Sequence, residues 1–138
     1  MFDKNNEDRL REWVEFRKKL EASSDPIQDT VTKYNNAPMV NIQVDPYDKD
    51  SWLNPWQLLN ENQYCNFARL LGIFYTLNLT TKFSKAPAEI HISKDPKNSE
   101  VLYLLYFDNK VIGYDFEKAV DIEDLPKNLS TEITYTLN

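Results

Sequence analysis

The chain has 138 residues, of which 41% are hydrophobic and 13% aromatic, and its formal charge at pH 7 is −6. That length suits one domain able to bury roughly two-thirds of the surface an unfolded chain exposes, so the composition excludes wholesale disorder. The acidic balance disfavours a general nucleic-acid binder, which needs a net basic face to neutralise phosphates, and no nucleic-acid partner is expected.

A single cysteine excludes an intrachain disulfide, and the polar start Met1–Asn6 lacks the apolar core of a secretory signal, so a reducing cytoplasm is the expected compartment. No run approaches the ~18 apolar residues of a membrane span. With only two glycines, Gly72 and Gly113, the chain has neither a Walker-type phosphate loop nor a dinucleotide fingerprint. No cofactor is expected.

Residues 1–22 read as an N-terminal helical arm. Leu10, Trp13, Val14, Phe16 and Leu20 form one face, and Glu7/Arg11 and Glu15/Lys19 are spaced i,i+4 on the other. The narrow apolar stripe must pack on the domain or on another chain, which makes Trp13 a candidate contact for a protein partner or for self-association. Ser23–Pro38 is polar and carries Pro26, Asn35-Asn36 and Pro38, so residues 23–38 read as a linker or long loop. The remaining 39–138 read as a single α+β domain.

Val40, Ile42 and Val44 alternate with Asn41, Gln43 and Asp45 as a half-buried strand does. Asp45, Asp48 and Asp50 lack the spacing and the distal bidentate glutamate of a calcium loop, and no metal site is expected. At Asn54-Pro55-Trp56-Gln57 the chain carries a strong helix start: an N-cap asparagine, proline at the first helical position and a glutamine able to complete a capping box. The central helix runs from Pro55 to about Leu79, and Asn60–Asn62 is the place where it could break. Trp56, Tyr64, Phe67, Leu71, Phe74 and Tyr75 share one broad face. Cys65 falls nearly opposite, beside Leu58, Arg69, Gly72 and Thr76. Gly72 lowers helix propensity, which predicts close approach of another backbone on that side. Trp52 and Trp56, with Tyr47 upstream, form either a clamp at the helix entrance or an aromatic binding pocket.

Strands follow. Ile90 and Ile92 alternate with Glu89, His91 and Ser93. Val101–Phe107 and Lys110–Asp115 flank Asp108-Asn109, a two-residue loop that predicts a tight antiparallel hairpin pairing Phe107 with Lys110. Ile133, Tyr135 and Leu137 alternate in a last strand. The expected fold is α+β: a central helix packed on an antiparallel sheet of about four strands, with the N-terminal arm.

Cys65 and His91 are each unique in the chain, and with Asp115 they could supply the thiolate, imidazole and orienting carboxylate of a thiol enzyme. The string Tyr64-Cys65-Asn66-Phe67-Ala68-Arg69-Leu70-Leu71-Gly72-Ile73 ahead of strands resembles the transglutaminase core. In that core the histidine precedes the aspartate by one strand, whereas His91 lies one strand earlier. A second resemblance rests on Asp45-Pro46-Tyr47-Asp48, Trp52-Leu53-Asn54-Pro55-Trp56, Asn62-Gln63-Tyr64-Cys65, Leu71-Gly72-Ile73-Phe74-Tyr75-Thr76-Leu77 and Tyr103-Leu104-Leu105-Tyr106. Across Val40–Asp115 these look like short uncharacterised proteins of marine contractile-tailed phages and related environmental sequences. That likeness implies a source without a mechanism. The two expectations are a non-enzymatic accessory or interaction protein of phage type, and alternatively a divergent cysteine-dependent enzyme.

Overall fold

A computed structural model describes residues 1–138. Four helices precede a five-stranded antiparallel sheet: α1 (Asn6–Leu20), α2 (Pro26–Tyr34), α3 (Pro55–Glu61), α4 (Asn66–Asn78), β1 (Ala88–Asp95), β2 (Glu100–Phe107), β3 (Lys110–Ile112), β4 (Val120–Asp121) and β5 (Ser130–Thr136). The strand order is β4-β3-β2-β1-β5, so the last strand closes onto the first. This is an α+β fold with the helices on one side of the sheet, and β4 is one strand more than the pattern suggested. No helix is long and apolar enough to cross a membrane.

The expected linker is instead a helix. Asp25 accepts a hydrogen bond from the Gln28 amide at 3.3 Å and Pro26 takes the first position, the same start signal that opens α3. Ile27, Val31 and Tyr34 then fall at helical spacing and are buried against the core around α4. Residues 23–38 therefore do not set the N-terminal helix apart. Trp13 is 1% exposed and Leu20 3%, both covered by this chain rather than by a second one. Arg9 donates to the carbonyls of Leu59 and Asn60, satisfying the open end of α3 and tying α1 to it. The arm is part of the domain.

One hydroxyl joins three helices. Thr76 Oγ1 donates to the Gly72 carbonyl at 2.7 Å within α4 and accepts from Trp13 Nε1 of α1 at 2.9 Å. It also lies 3.1 Å from the Tyr34 hydroxyl of α2. With its own proton committed to Gly72, Thr76 can only accept from Tyr34. Burial pushes the Tyr34 phenol up to about 12, so it is a neutral donor at physiological pH. Gly72 permits this arrangement. A Cβ there would lie 2.6 Å from Tyr34 Cε1, so the close approach is that of an aromatic ring and not of a backbone.

The helix expected over Pro55–Leu79 is two. The Asn54–Gln57 capping box forms as the sequence indicates, with bonds of 2.8 and 3.0 Å. Asn62 then adopts a left-handed conformation at φ 50° and ends α3. Tyr64 bridges Met39 in parallel, its amide bonded to the Pro38 carbonyl at 2.9 Å, before Cys65 caps α4. Because of this break Trp56 leaves the central face and is exposed. The strand expected over Val40–Val44 is also absent. Its backbone finds one partner, Tyr64, and only Val44 inserts into the core.

Phe67, Leu71 and Phe74 are buried as expected and pack over Ile90, Leu105, Phe107 and Ile112. The hairpin forms in the expected register, Phe107 opposite Lys110, with Asp108 and Asn109 at φ 47° and 69°. Both signs suit the primed turn that matches strand twist. Strand β3 ends at Ile112 rather than Asp115, because Gly113 turns the chain at φ 108°.

Candidate binding groove

The clearest concavity beside exposed apolar residues lies where the 39–48 loop passes the start of α4. Val44, Cys65 and Phe67 reach it from the core, and Ile42, Asp45, Tyr47 and Tyr103 line it, enclosing about 470 Å³. Ile42 is 83% exposed and Tyr47 54%, large apolar surfaces on the rim. The loop is held in shape. Asp45 Oδ1 accepts from the Tyr47 amide at 2.9 Å, and the Asp45 carbonyl accepts from Trp52 Nε1 at 3.0 Å. Trp52 is anchored in turn by a tilted contact to Phe67 and an edge contact to Tyr135. Burial raises the Tyr103 phenol above its usual range, and the nearby Tyr47, Cys65 and Asp45 add to that rise.

A second, smaller cavity of about 220 Å³ shares Asn66 and Tyr103 with the first. Leu70, Val101 and Phe116 form its apolar wall, and Arg69 supplies its charge. The guanidinium is buried, stacks at 4.0 Å on Phe116 and donates through Nε to the Tyr34 carbonyl, the last of α2. Burial alone lowers it to about 10, so it remains a cation at neutral pH.

The three candidate catalytic residues are not brought together. Cys65 caps α4, its sulfur accepting from the Ala68 amide at 3.5 Å, on the helix side of the sheet. His91 stacks on Tyr106 at 4.0 Å and bonds Glu89 and Thr131, all on the opposite face, because its strand parity is the reverse of Ile90 and Ile92. The sheet stands between the thiol and the imidazole. Asp115 accepts from the Glu117 amide at 2.8 Å in a surface turn and has no part in orienting His91.

Of the four aromatic candidates, Trp13 is sealed in the core and is unavailable to a partner. Trp52 and Trp56 do not form a shared pocket: Trp52 packs on Phe67 and Tyr135, whereas Trp56 is 58% exposed on α3. Tyr47 alone lines the groove. Sequence reasoning missed Asn66, Tyr103 and the role of Arg69. The available signal was a lone arginine inside the apolar run Phe67–Phe74, a place where a charge needs a specific reason. No protein-family model, curated protein or solved structure matches this chain.

Proposed function

We propose that this protein is a non-enzymatic accessory protein, of the phage type its motifs resemble, that binds an extended apolar segment of a partner in the groove between the 39–48 loop and α4. One observation carries the reading: Ile42 and Tyr47 stand exposed on the rim of a cavity whose floor is continuous with the core. Concave apolar sites with a few polar groups are where proteins take ligands, and rim aromatics supply contact area at low entropic cost. Asn41, Asp45 and Asn66 provide the polar groups that would fix the backbone of a bound segment. The thiol chemistry has no support from position, since the one histidine lies across the sheet.

Selection of displayed random peptides against the intact chain tests this. Selected peptides should lose at least about tenfold in affinity for Ile42→Asp, which places a charge on the apolar rim. Because Ile42 lies outside the core, the variant should melt as the parent does. Failure to select any peptide, or unchanged binding by Ile42→Asp, would refute the proposal.

A further inference from the structure

Two arginines are buried in this protein, and they are used unequally. Arg9 turns all three guanidinium nitrogens onto carbonyls, those of Leu59, Lys4 and Asn60. Arg69, 2% exposed, engages only two: Nε bonds the Tyr34 carbonyl at 3.3 Å, and Nη2 bonds Asn35 Oδ1 at 2.6 Å and the Phe116 carbonyl at 2.8 Å. Nη1 is left without an acceptor. It is not among the sealed-in polar atoms that lack a partner, so it keeps contact with solvent, and Arg69 is one of the residues that line the small cavity. None of the ion pairs in the chain involves Arg69, and no acidic residue lines this cavity. In a chain of net charge −6, a buried cation with an open donor and no carboxylate beside it is built for an anion from elsewhere.

The neighbours narrow the class of anion. Asn66 sits one helical turn before Arg69 and lines the same cavity, offering a side-chain amide to a second oxygen. The start of α4 adds favourable potential for negative charge. Leu70, Val101 and Phe116 demand that the anion carry an apolar group, which suits a carboxylate on an apolar residue and not a hydrated phosphate. At about 220 Å³ the space takes little more than one such residue, and it abuts the 39–48 groove through Asn66 and Tyr103. We infer that the Arg69 cavity receives the free C-terminal carboxylate of the peptide whose preceding residues lie in that groove. The inference rests on the groove reading above and names the end of the partner that is recognised.

The test compares each selected peptide as free acid and as C-terminal amide, against the parent chain and Asn66→Asp. Aspartate at the first position of α4 is favourable to the helix, so the variant folds, while its carboxylate sits one turn from Arg69 and occupies the guanidinium. Acids should bind the parent about tenfold to a hundredfold tighter than amides, and Asn66→Asp should abolish that difference. Equal binding of acid and amide by the parent would overturn the inference and leave the groove reading intact. A probe independent of the groove is N-acetyl-leucine, which should shift the Arg69 Nε–H resonance where N-acetyl-leucinamide does not. Its failure to do so at about 10 mM would also overturn the inference, since a carboxylate weaker than that is not specifically held. If no peptide binds but N-acetyl-leucine does, carboxylate capture stands and the groove reading falls.

Discussion

Replacing Thr76 with valine keeps the shape of the side chain and removes the one oxygen that joins α1, α2 and α4. The Trp13 indole N–H and the Tyr34 hydroxyl, both buried, would lose the acceptor they share. Each buried donor left without a partner costs about 1–3 kcal/mol. Two such donors, less the relief of no longer burying the hydroxyl, give an expected loss of about 2–5 kcal/mol. Against a typical stability of about 5–15 kcal/mol, that loss is a large share of the total. Thr76→Ser retains the oxygen and loses a methyl group, for which about 1 kcal/mol is expected. Urea unfolding followed by tryptophan fluorescence measures both, and the midpoints should fall with the slope unchanged. A double-mutant cycle with Trp13→Phe should show that the two losses do not add, since either change breaks the same bond. A cost under about 1 kcal/mol for Thr76→Val, or one no greater than that of Thr76→Ser, would refute the role of the Thr76 oxygen as shared acceptor.

Phe74, which packs edge-on against Phe107, should cost about 3–5 kcal/mol on replacement by alanine; a loss under about 1 kcal/mol would contradict the helix–sheet packing. Deleting Met1–Ser24 removes Trp13, Leu20 and the Arg9 bonds to α3, so the truncated chain should bind apolar dye strongly and melt lower, and an unchanged melt would show that α1 is dispensable. Cys65, 7% exposed, should react slowly with iodoacetamide in the folded protein and rapidly in urea. Rapid alkylation of the folded chain, abolished by His91→Ala, would revive the enzyme reading.

The features legible in the sequence are those set by neighbours along the chain. Asn54, Pro55 and Gln57 act within one turn, and Asp108-Asn109 fixes the register of the hairpin by itself. Asp25-Pro26 carries the same chemistry as Asn54-Pro55, yet the polar residues around it outweighed Ile27, Val31 and Tyr34 at helical spacing. The Val40–Val44 alternation misled for the opposite reason: the period fits a strand, but a strand exists only where a partner runs alongside it. At the candidate site, Cys65 and Tyr47 stood out by type. The role of Arg69 did not, because it depends on the carbonyls of Tyr34 and Phe116, distant in sequence and brought to the guanidinium only by folding.

The strand order has a consequence for synthesis. Helices α1 to α4, and then the hairpin of β2 and β3, can form as the chain emerges, since each pairs with something already made. Strand β1 cannot be completed in that way. One of its edges faces β2, while the other waits for β5, the last strand of this sheet to be made. Until then the nascent protein presents an open edge bearing Ile90 and Ile92, the form most prone to pair with another chain. Substitutions that weaken β5, such as proline at Ile133, should therefore lower the yield of soluble protein in cells by more than their effect on the finished fold would suggest.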